Sequence, residues 1–494
     1  MADRSLNILF TASEAAPFAK TGGLADVVGA LPKALKALGH DVILVMPRYY
    51  GIDRGSLEKL PYPLGVPMGP LQTRWAAVYR GELPGSDVPV YFIDYEEYFG
   101  RSGLYADEHG FSYPDNDLRF AFLSKAAFEL AKMIGFRPDI LHAHDWHTAP
   151  QTILRNTRYL RESAFSEAAT VLTIHNLQHQ GIFHERIVDI LEIGWEHYTP
   201  FELESLGAAN FLKGGITHAD RITTVSPTYA REIQTPEFGF GLEGHIRAHA
   251  DRLRGILNGV DYSEWSPAED PYLPANYDVE AMEGKSVCKR ELQRRFGLPQ
   301  REDLPLIGFV GRFAEQKGIG LIAAAMERLL HLEAQFVFLG TGEKWAEGFF
   351  SDVAGRRGDR FACYVGYSNE LAHQIEAGSD LFLMPSLFEP CGLNQIYSLR
   401  YGTLPVVRAV GGLDDTIDNY DPRSGNGNGF KFWDATPQAL ADTLSWAVDT
   451  WRNEPDRFRR MQERAMKERF DWERSAGEYL EVYREAIQER KGKA

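Results

Sequence analysis

Apolar and polar positions recur along this chain in one order: a short apolar run, a loop rich in glycine and charge, then apolar residues spaced for one face of a helix. Leu6–Phe10 is the first such run. A loop through Ser13, Glu14 and Pro17 leads to Lys20-Thr21-Gly22-Gly23, after which Leu24, Val27, Val28, Leu31, Leu35 and Leu38 fall on one helical stripe. Gly39-His40-Asp41 ends that helix, and Val42–Met46 returns as a buried strand. Pro32 lies inside the stripe and is expected to split the helix in two, because proline removes a backbone donor and crowds the preceding turn. The order repeats past the middle. Pro305–Val310 reads as a strand, residues 311–320 as a loop carrying Arg312 and Lys317, Ile319–Leu330 as a helix, and Gln335–Leu339 as a second strand ending at Gly340-Thr341-Gly342.

Two strand–loop–helix–strand units, each with a lysine beside glycine after its first strand, predict an α/β chain of two doubly wound, Rossmann-like domains. Ligands of such sheets bind beyond the carboxyl ends of the strands, so the site is expected in a deep cleft where two sheets face each other. Ile256–Val260 reads as a closing strand and turn, and Ser266-Pro267, Pro271 and Pro274 mark a polar linker. The predicted domains are therefore 1–257 and 258–470, followed by a segment 471–494. In that segment Trp472, Ala476, Tyr479, Leu480, Tyr483 and Ile487 form the stripe of an amphipathic helix that docks on a domain surface.

The chain's 494 residues are too many for one ordinary core and fit two. With 53 Lys and Arg against 69 Asp and Glu, the net charge is −16, which argues against non-specific binding to nucleic acid or to an anionic membrane. An anionic ligand therefore needs a local cluster of cations. Three cysteines without paired spacing, Cys288, Cys363 and Cys391, fit a reducing cytoplasm and form neither a disulfide framework nor a zinc site. No apolar run is long enough to span a membrane, and the first strand begins too early for a signal peptide.

Four loops carry candidate chemistry. Lys20-Thr21-Gly22-Gly23 lies between a strand and a helix, where bare backbone N–H groups and a lysine suit phosphate, although it is neither a Walker loop nor GxGxxG. Arg312 and Lys317, on one glycine-bounded loop, could converge on a diphosphate or be two solvated cations. After the strand Leu381–Met384 come Glu389-Pro390-Cys391-Gly392 and a helix, again the geometry for phosphate, with an acid at the rim for hydroxyls. Gly411–Thr416 repeats the glycine turn. His142, His144 and His147 invite a metal, but no helical His pair or Cys accompanies them, so none is expected. Asp145, Trp146 and His147 at a strand end suit carbohydrate, with Trp146 as an aromatic platform, and His175 also ends a strand.

Together these segments resemble the bacterial glycogen synthases and plant starch synthases nearly end to end. The resemblance rests on Lys20–Gly23, Asp115–Asp117 with Arg119-Phe120, His142–His147, Thr173–Asn176, Asn258–Asp261, Gly311-Arg312 with Gln316–Gly318, and Glu389–Leu393. It implies a GT-B fold and a retaining transferase that moves glucose from ADP-glucose to the non-reducing 4-hydroxyl of an α-1,4-glucan such as glycogen. No metal or other cofactor is implied. Lys20, Gly22, Gly23 and Asp26 match the donor loop, and Arg312 and Lys317 the cations on the diphosphate. His175 and Asn258 match residues around the glucosyl group, Glu389 the essential acid, Cys391 a donor-binding position, and Gly392 and Leu393 the phosphate contacts made through backbone N–H. Asp145 and His147 match positions facing sugar and acceptor. The resemblance also implies that the final helix crosses back onto the first domain. Two positions depart from wider patterns: Tyr397 stands where sibling retaining transferases carry a second Glu, and Asn394 where many members have Thr. The rival readings are a related transferase using UDP-glucose or another acceptor, a glucan phosphorylase, and a non-catalytic glucan-binding protein.

Overall fold

The structure, a computed structural model, describes residues 4–493. They fall into two compact units: the residues up to Gly259 together with those from Trp472 onward, and Val260–Asp471.

The first unit is built on a ten-stranded sheet. Its strands are β1 (Asn7–Thr11), β2 (Asp41–Pro47), β3 (Thr73–Glu82), β4 (Pro89–Asp94), β5 (Ile140–His144), β6 (Ala169–Ile174), β7 (Arg221–Thr224) and β8 (Leu253–Gly255). They lie in the order β8-β7-β6-β5-β1-β2-β4-β3, with two short strands, Glu58–Lys59 and Leu64–Pro67, on β3. Pairing is parallel from β8 to β4 and antiparallel at β3. Every residue of β5 and β6 is buried, as parallel strands covered on both faces require. The register sets Phe10 against His142, His142 against Val171, and Thr173 against Thr223.

Helix α1 (Gly23–Ala37) runs through Pro32 without a break, which corrects the expected split. Pro32 is buried beside Val28, Leu31 and Leu35, and burying that face offsets the one lost hydrogen bond. The closing strand is also displaced. It occupies Leu253–Gly255, and the Ile256 N–H still bonds Thr224 O at 2.8 Å. From Leu257 the chain leaves the sheet, because Gly259 lies so near Trp472 that an added Cβ would sit 2.6 Å from the Trp472 nitrogen.

Helices α2 (Asn116–Ile134) and α3 (Phe211–His218) also belong to this unit. So does the final helix, Trp472–Lys493, which packs on α1, β6 and β7. Tyr479 and Tyr483 are fully buried there. Around them Arg490 pairs with the buried Asp220 at 2.6 Å, Arg254 with Glu481 at 2.7 Å and Arg221 with Glu485 at 3.2 Å.

The second unit has six parallel strands. They are β9 (Leu306–Val310), β10 (Gln335–Gly340), β11 (Phe361–Val365), β12 (Leu381–Met384), β13 (Leu404–Arg408) and β14 (Phe430–Phe432), in the order β11-β10-β9-β12-β13-β14. Helices α4 (Ile319–His331), α5 (Asn369–Gly378) and α6 (Asn394–Arg400) connect them.

The segment expected as a polar linker is instead packed. Trp265 lies flat between His373 of α5 and Tyr397 of α6, with ring centroids 3.8 and 4.0 Å apart and interplanar angles of 10° and 5°. The buried Asp270 accepts from His373 Nδ1 (2.8 Å) and from the Tyr401 hydroxyl (2.5 Å). Gly411–Thr416 is a short helix rather than a turn. Its two glycines permit close approach: an added Cβ at Gly411 would lie 2.0 Å from Glu389 O, and one at Gly412 2.0 Å from Cys391 O. Among the described residues, no helix is long and apolar enough to cross a membrane.

Candidate active site

Each sheet has one point where the strand order reverses, and the loops leaving that point part to form a crevice. In the first unit it lies between β1 and β5. The loop after β1 carries Lys20 and Gly22 and enters α1 at Gly23, a short helix straight after β5 carries Asp145, Trp146 and His147, and the loop after neighbouring β6 carries His175.

Lys20 Nζ meets Asp26 Oδ1 at 2.6 Å. Burial pushes the Asp26 carboxyl up, and Lys20 pulls it part of the way back. Gly22 is extended, with φ −160°, and caps α1 with no side-chain hydrogen bond. An added Cβ at Gly22 or Gly23 would meet nothing within 4 Å. Packing therefore does not require glycine at either position, and the space an added side chain would enter is open.

The loop is held by a residue that sequence reasoning passed over. Glu14, 3% exposed, accepts from the Thr21 N–H and from Thr21 Oγ1 (2.7 Å), and from the Tyr105 hydroxyl (2.5 Å). Tyr105 in turn stacks on His147, with centroids 4.6 Å apart. A carboxylate buried just past a strand end was the available sign of Glu14. Its partner Tyr105 is remote in sequence and bears no motif.

Asp145 has φ +53°, a conformation L-residues rarely adopt. It accepts from the backbone N–H of His175 at 2.6 Å and of Asn176 at 3.4 Å. Burial raises its pKa to about 7. Burial lowers the pKa of His175 to about 3, so that its imidazole is neutral at any working pH. His147 is likewise held neutral, chiefly by burial, and its Nδ1 is buried with no hydrogen-bond partner. Trp146 is not an open platform: it is 8% exposed, packed on Phe120, His147 and Phe183, with Gly181 against its ring. The buried Asn258 has an Oδ1 without a partner and joins none of these contacts.

The nitrogens of the histidine motif do not converge on a point. His142 bonds Tyr483 and Thr173, while His144 bonds His175. Among the described residues the group that could hold a metal lies elsewhere, at His197, Glu202 and His218. There Glu202 Oε2 accepts from His197 Nδ1 at 2.7 Å and from His218 Nε2 at 2.8 Å. Ligands 2.0–2.1 Å from a tetrahedral zinc keep about 3.3 Å between them. The shorter distances are those of a hydrogen-bonded clamp tying the 195–205 loop to α3.

In the second unit the reversal lies between β9 and β12. The loop after β9 carries Arg312 and Lys317; that after β12 carries Glu389, Cys391, Gly392 and Leu393. Gly318, with φ +71°, brings the loops together, since an added Cβ would lie 2.0 Å from Pro385 O. Lys317 Nζ pairs with Glu389 Oε2 at 2.6 Å, and the Ser386 hydroxyl donates to the same oxygen at 2.9 Å. Lys317 is thus engaged with the acid rather than with Arg312. Arg312 is exposed, and its Nη2 donates to Gln316 Oε1 at 3.1 Å.

Cys391 is buried, and its carbonyl accepts from Gln395 Nε2 at 3.0 Å. Gly392 (φ +72°) and Leu393 lead into α6, which is too short to add a strong dipole, so any anion would be read by the N–H groups themselves. Asn394 Nδ2 donates to Val310 O at 2.8 Å and braces the end of β9. Tyr397 faces Trp265 and not the loop, which accounts for an aromatic ring at that position.

Two doubly wound units, each with its ligand loops at the reversal point, have the architecture of GT-B glycosyltransferases. The starch synthase catalytic domain family matches residues 7–248, and the glycosyl transferases group 1 family matches residues 291–468. The chain belongs to the glycogen synthase family: it is 55% identical to glycogen synthase 1 of Geobacter metallireducens, over 99% of this chain and 98% of that one. It is 48% identical to a glycogen synthase of Anaeromyxobacter sp., over 97% and 99%. The catalytic domain of starch synthase IV from Arabidopsis thaliana, solved with ADP and acarbose, superposes with a TM-score of 0.90 at 33% identity, covering 98% of this chain and all of that one. A sucrose-phosphate synthase from Thermosynechococcus elongatus shares the fold, at TM-score 0.60 and 18% identity.

Proposed function

We propose that this glycosyltransferase moves glucose from ADP-glucose to the non-reducing 4-hydroxyl of an α-1,4-glucan, with retention, elongating glycogen in the cytoplasm. The observation that carries the reading is the pair of loops at the second reversal point. They place the Lys317 ammonium, an exposed guanidinium and the backbone N–H groups of Gly392 and Leu393 on the loops that hold a buried carboxylate, a set suited to a diphosphate joined to a sugar. The ADP and acarbose bound by the plant relative support a nucleotide diphosphate and a glucan-like acceptor.

In such a transfer the transition state gathers positive charge on the sugar ring and negative charge on the departing phosphate. Arg312, Lys317 and the N–H groups of Gly392 and Leu393 stabilise the leaving group, the term that usually dominates catalysis. Lys317 must turn from Glu389 toward the phosphate as the donor enters, which releases Glu389 to face the cationic ring. These cations take the part a metal plays elsewhere, so turnover is expected to persist in EDTA. Leaving phosphate then assists deprotonation of the acceptor on the same face.

Rates with ADP-glucose and UDP-glucose on a glycogen primer test the donor. A strong preference for UDP-glucose would reassign it. Early-time proton NMR of an extended oligosaccharide tests retention: an α anomeric signal is expected, and a β signal in the first product would overturn the reading.

A further inference from the structure

Behind the first half-site, buried histidines form two hydrogen-bonded contacts, the second of which ends at a site residue. The Tyr483 hydroxyl of the final helix lies 2.8 Å from His142 Nδ1, and His142 Nε2 lies 2.7 Å from Thr173 Oγ1. The His144 ring packs 4.2 Å from that of His142, and His144 Nδ1 lies 3.0 Å from His175 Nε2. Both nitrogens of His142 are engaged, whereas His144 Nε2 is buried with no partner.

Burial keeps all three rings neutral, so each carries one proton and the 144–175 contact needs one donor and one acceptor. Two arrangements are available. If His175 donated through Nε2, the His144 proton would sit on its own Nε2, a buried N–H with no acceptor. Orphaned buried N–H groups are rare in native proteins, and leaving one costs its full desolvation. If His144 donates through Nδ1, the unpaired atom is only a lone pair, and the proton of His175 moves to Nδ1.

We propose that His144 is a positioning residue that fixes His175 as the Nδ1–H tautomer, giving the site a neutral hydrogen-bond donor for a sugar hydroxyl oxygen. The proposal rests on the reading that His175 meets the glucosyl group. It explains the use of a buried imidazole at this position. A neutral N–H can orient a hydroxyl without setting a second positive charge beside an oxocarbenium-like ring, as a protonated histidine or a lysine would. The Tyr483 and Thr173 contacts clamp the His142 ring, against which the His144 ring packs.

Long-range proton–nitrogen spectra of the full chain labelled with 15N-histidine report the tautomer directly. The expected spectrum has His175 protonated on Nδ1 alone. His144→Phe removes the donor and should give His175 a mixed signature and lower kcat/KM by about tenfold, the loss of one oriented hydrogen bond. His144→Asn, whose amide can present an N–H where Nδ1 stands, should keep the Nδ1–H signature and restore most of the activity. A wild-type His175 protonated on Nε2, or an unchanged His175 signature in His144→Phe, overturns the proposal. The wild-type spectrum alone decides this even if the Phe variant does not fold. A His175→Ala variant with undiminished turnover would sink the underlying site reading by kinetics, and the proposal with it, whatever the spectrum shows.

Discussion

Gly22 and Gly23 are glycines for which the fold has no use, and Gly318 is one it cannot lose. Gly22→Ala should therefore change stability in urea by no more than about 0.5 kcal/mol while raising the KM for donor. Gly318→Ala combines a left-handed backbone with a clash and should cost about 2 kcal/mol or more. The buried Asp145 makes a pH prediction. Its folded pKa is raised from 3.8 to about 7, so the native state holds a proton that the unfolded chain has released. Stability from this group is present below about pH 4 and lost as pH rises through about 7. Asp145→Asn, which cannot ionise, should thus gain in urea midpoint over the parent between pH 4.5 and 8, and the absence of any pH trend would deny the raised value. Lys317 and Glu389 share one ion pair, so Lys317→Ala and Glu389→Gln should each lower kcat by about 10²–10³-fold, and the double variant by less than the product. Lys20, Arg312 and Glu389 stand out in the sequence as candidates because each lies on a glycine-containing loop after an apolar run. Glu14 was not, since its role depends on Tyr105. Trp146 was misread because an aromatic at a strand end looks the same whether its faces are open or packed.

The strands and helices were read closely from apolar periodicity, as at Leu381–Met384, which the structure reproduces residue for residue. The departures occur where a distant contact overrides local preference. Pro32 stays helical because its face is buried, and the supposed linker is held by Trp265 between two rings. Neither partner of Trp265 is near it in sequence, so proline content alone misled. The final helix yields its own test. Arg490 pairs with Asp220, whose carboxylate is fully buried and also bonded to Thr170. Arg490→Ala removes a cation bonded to that buried carboxylate and should cost about 3 kcal/mol, seen as faster hydrogen exchange in the final helix and in β7. Exchange unchanged in both elements would mean that the pair contributes little.

Taken whole, the chain passes between its two units twice, after Gly259 and after Asp471, and the candidate cations divide between them: Lys20 in one, Arg312 and Lys317 in the other. The doubly wound α/β plan of each unit was legible from repeated strand–loop–helix order. The return of the last helix to the first unit follows from contacts with α1, β6 and β7 that no local pattern encodes. That return carries a consequence for synthesis. A nascent chain makes the first sheet early, yet the residues that cover β6 and seat Tyr483 on His142 come only after the whole of the second unit, roughly two hundred residues later. At about 5–20 residues per second, the ribosome leaves that apolar seat bare for about 10–40 s, long enough for a chaperone or a protease to find it.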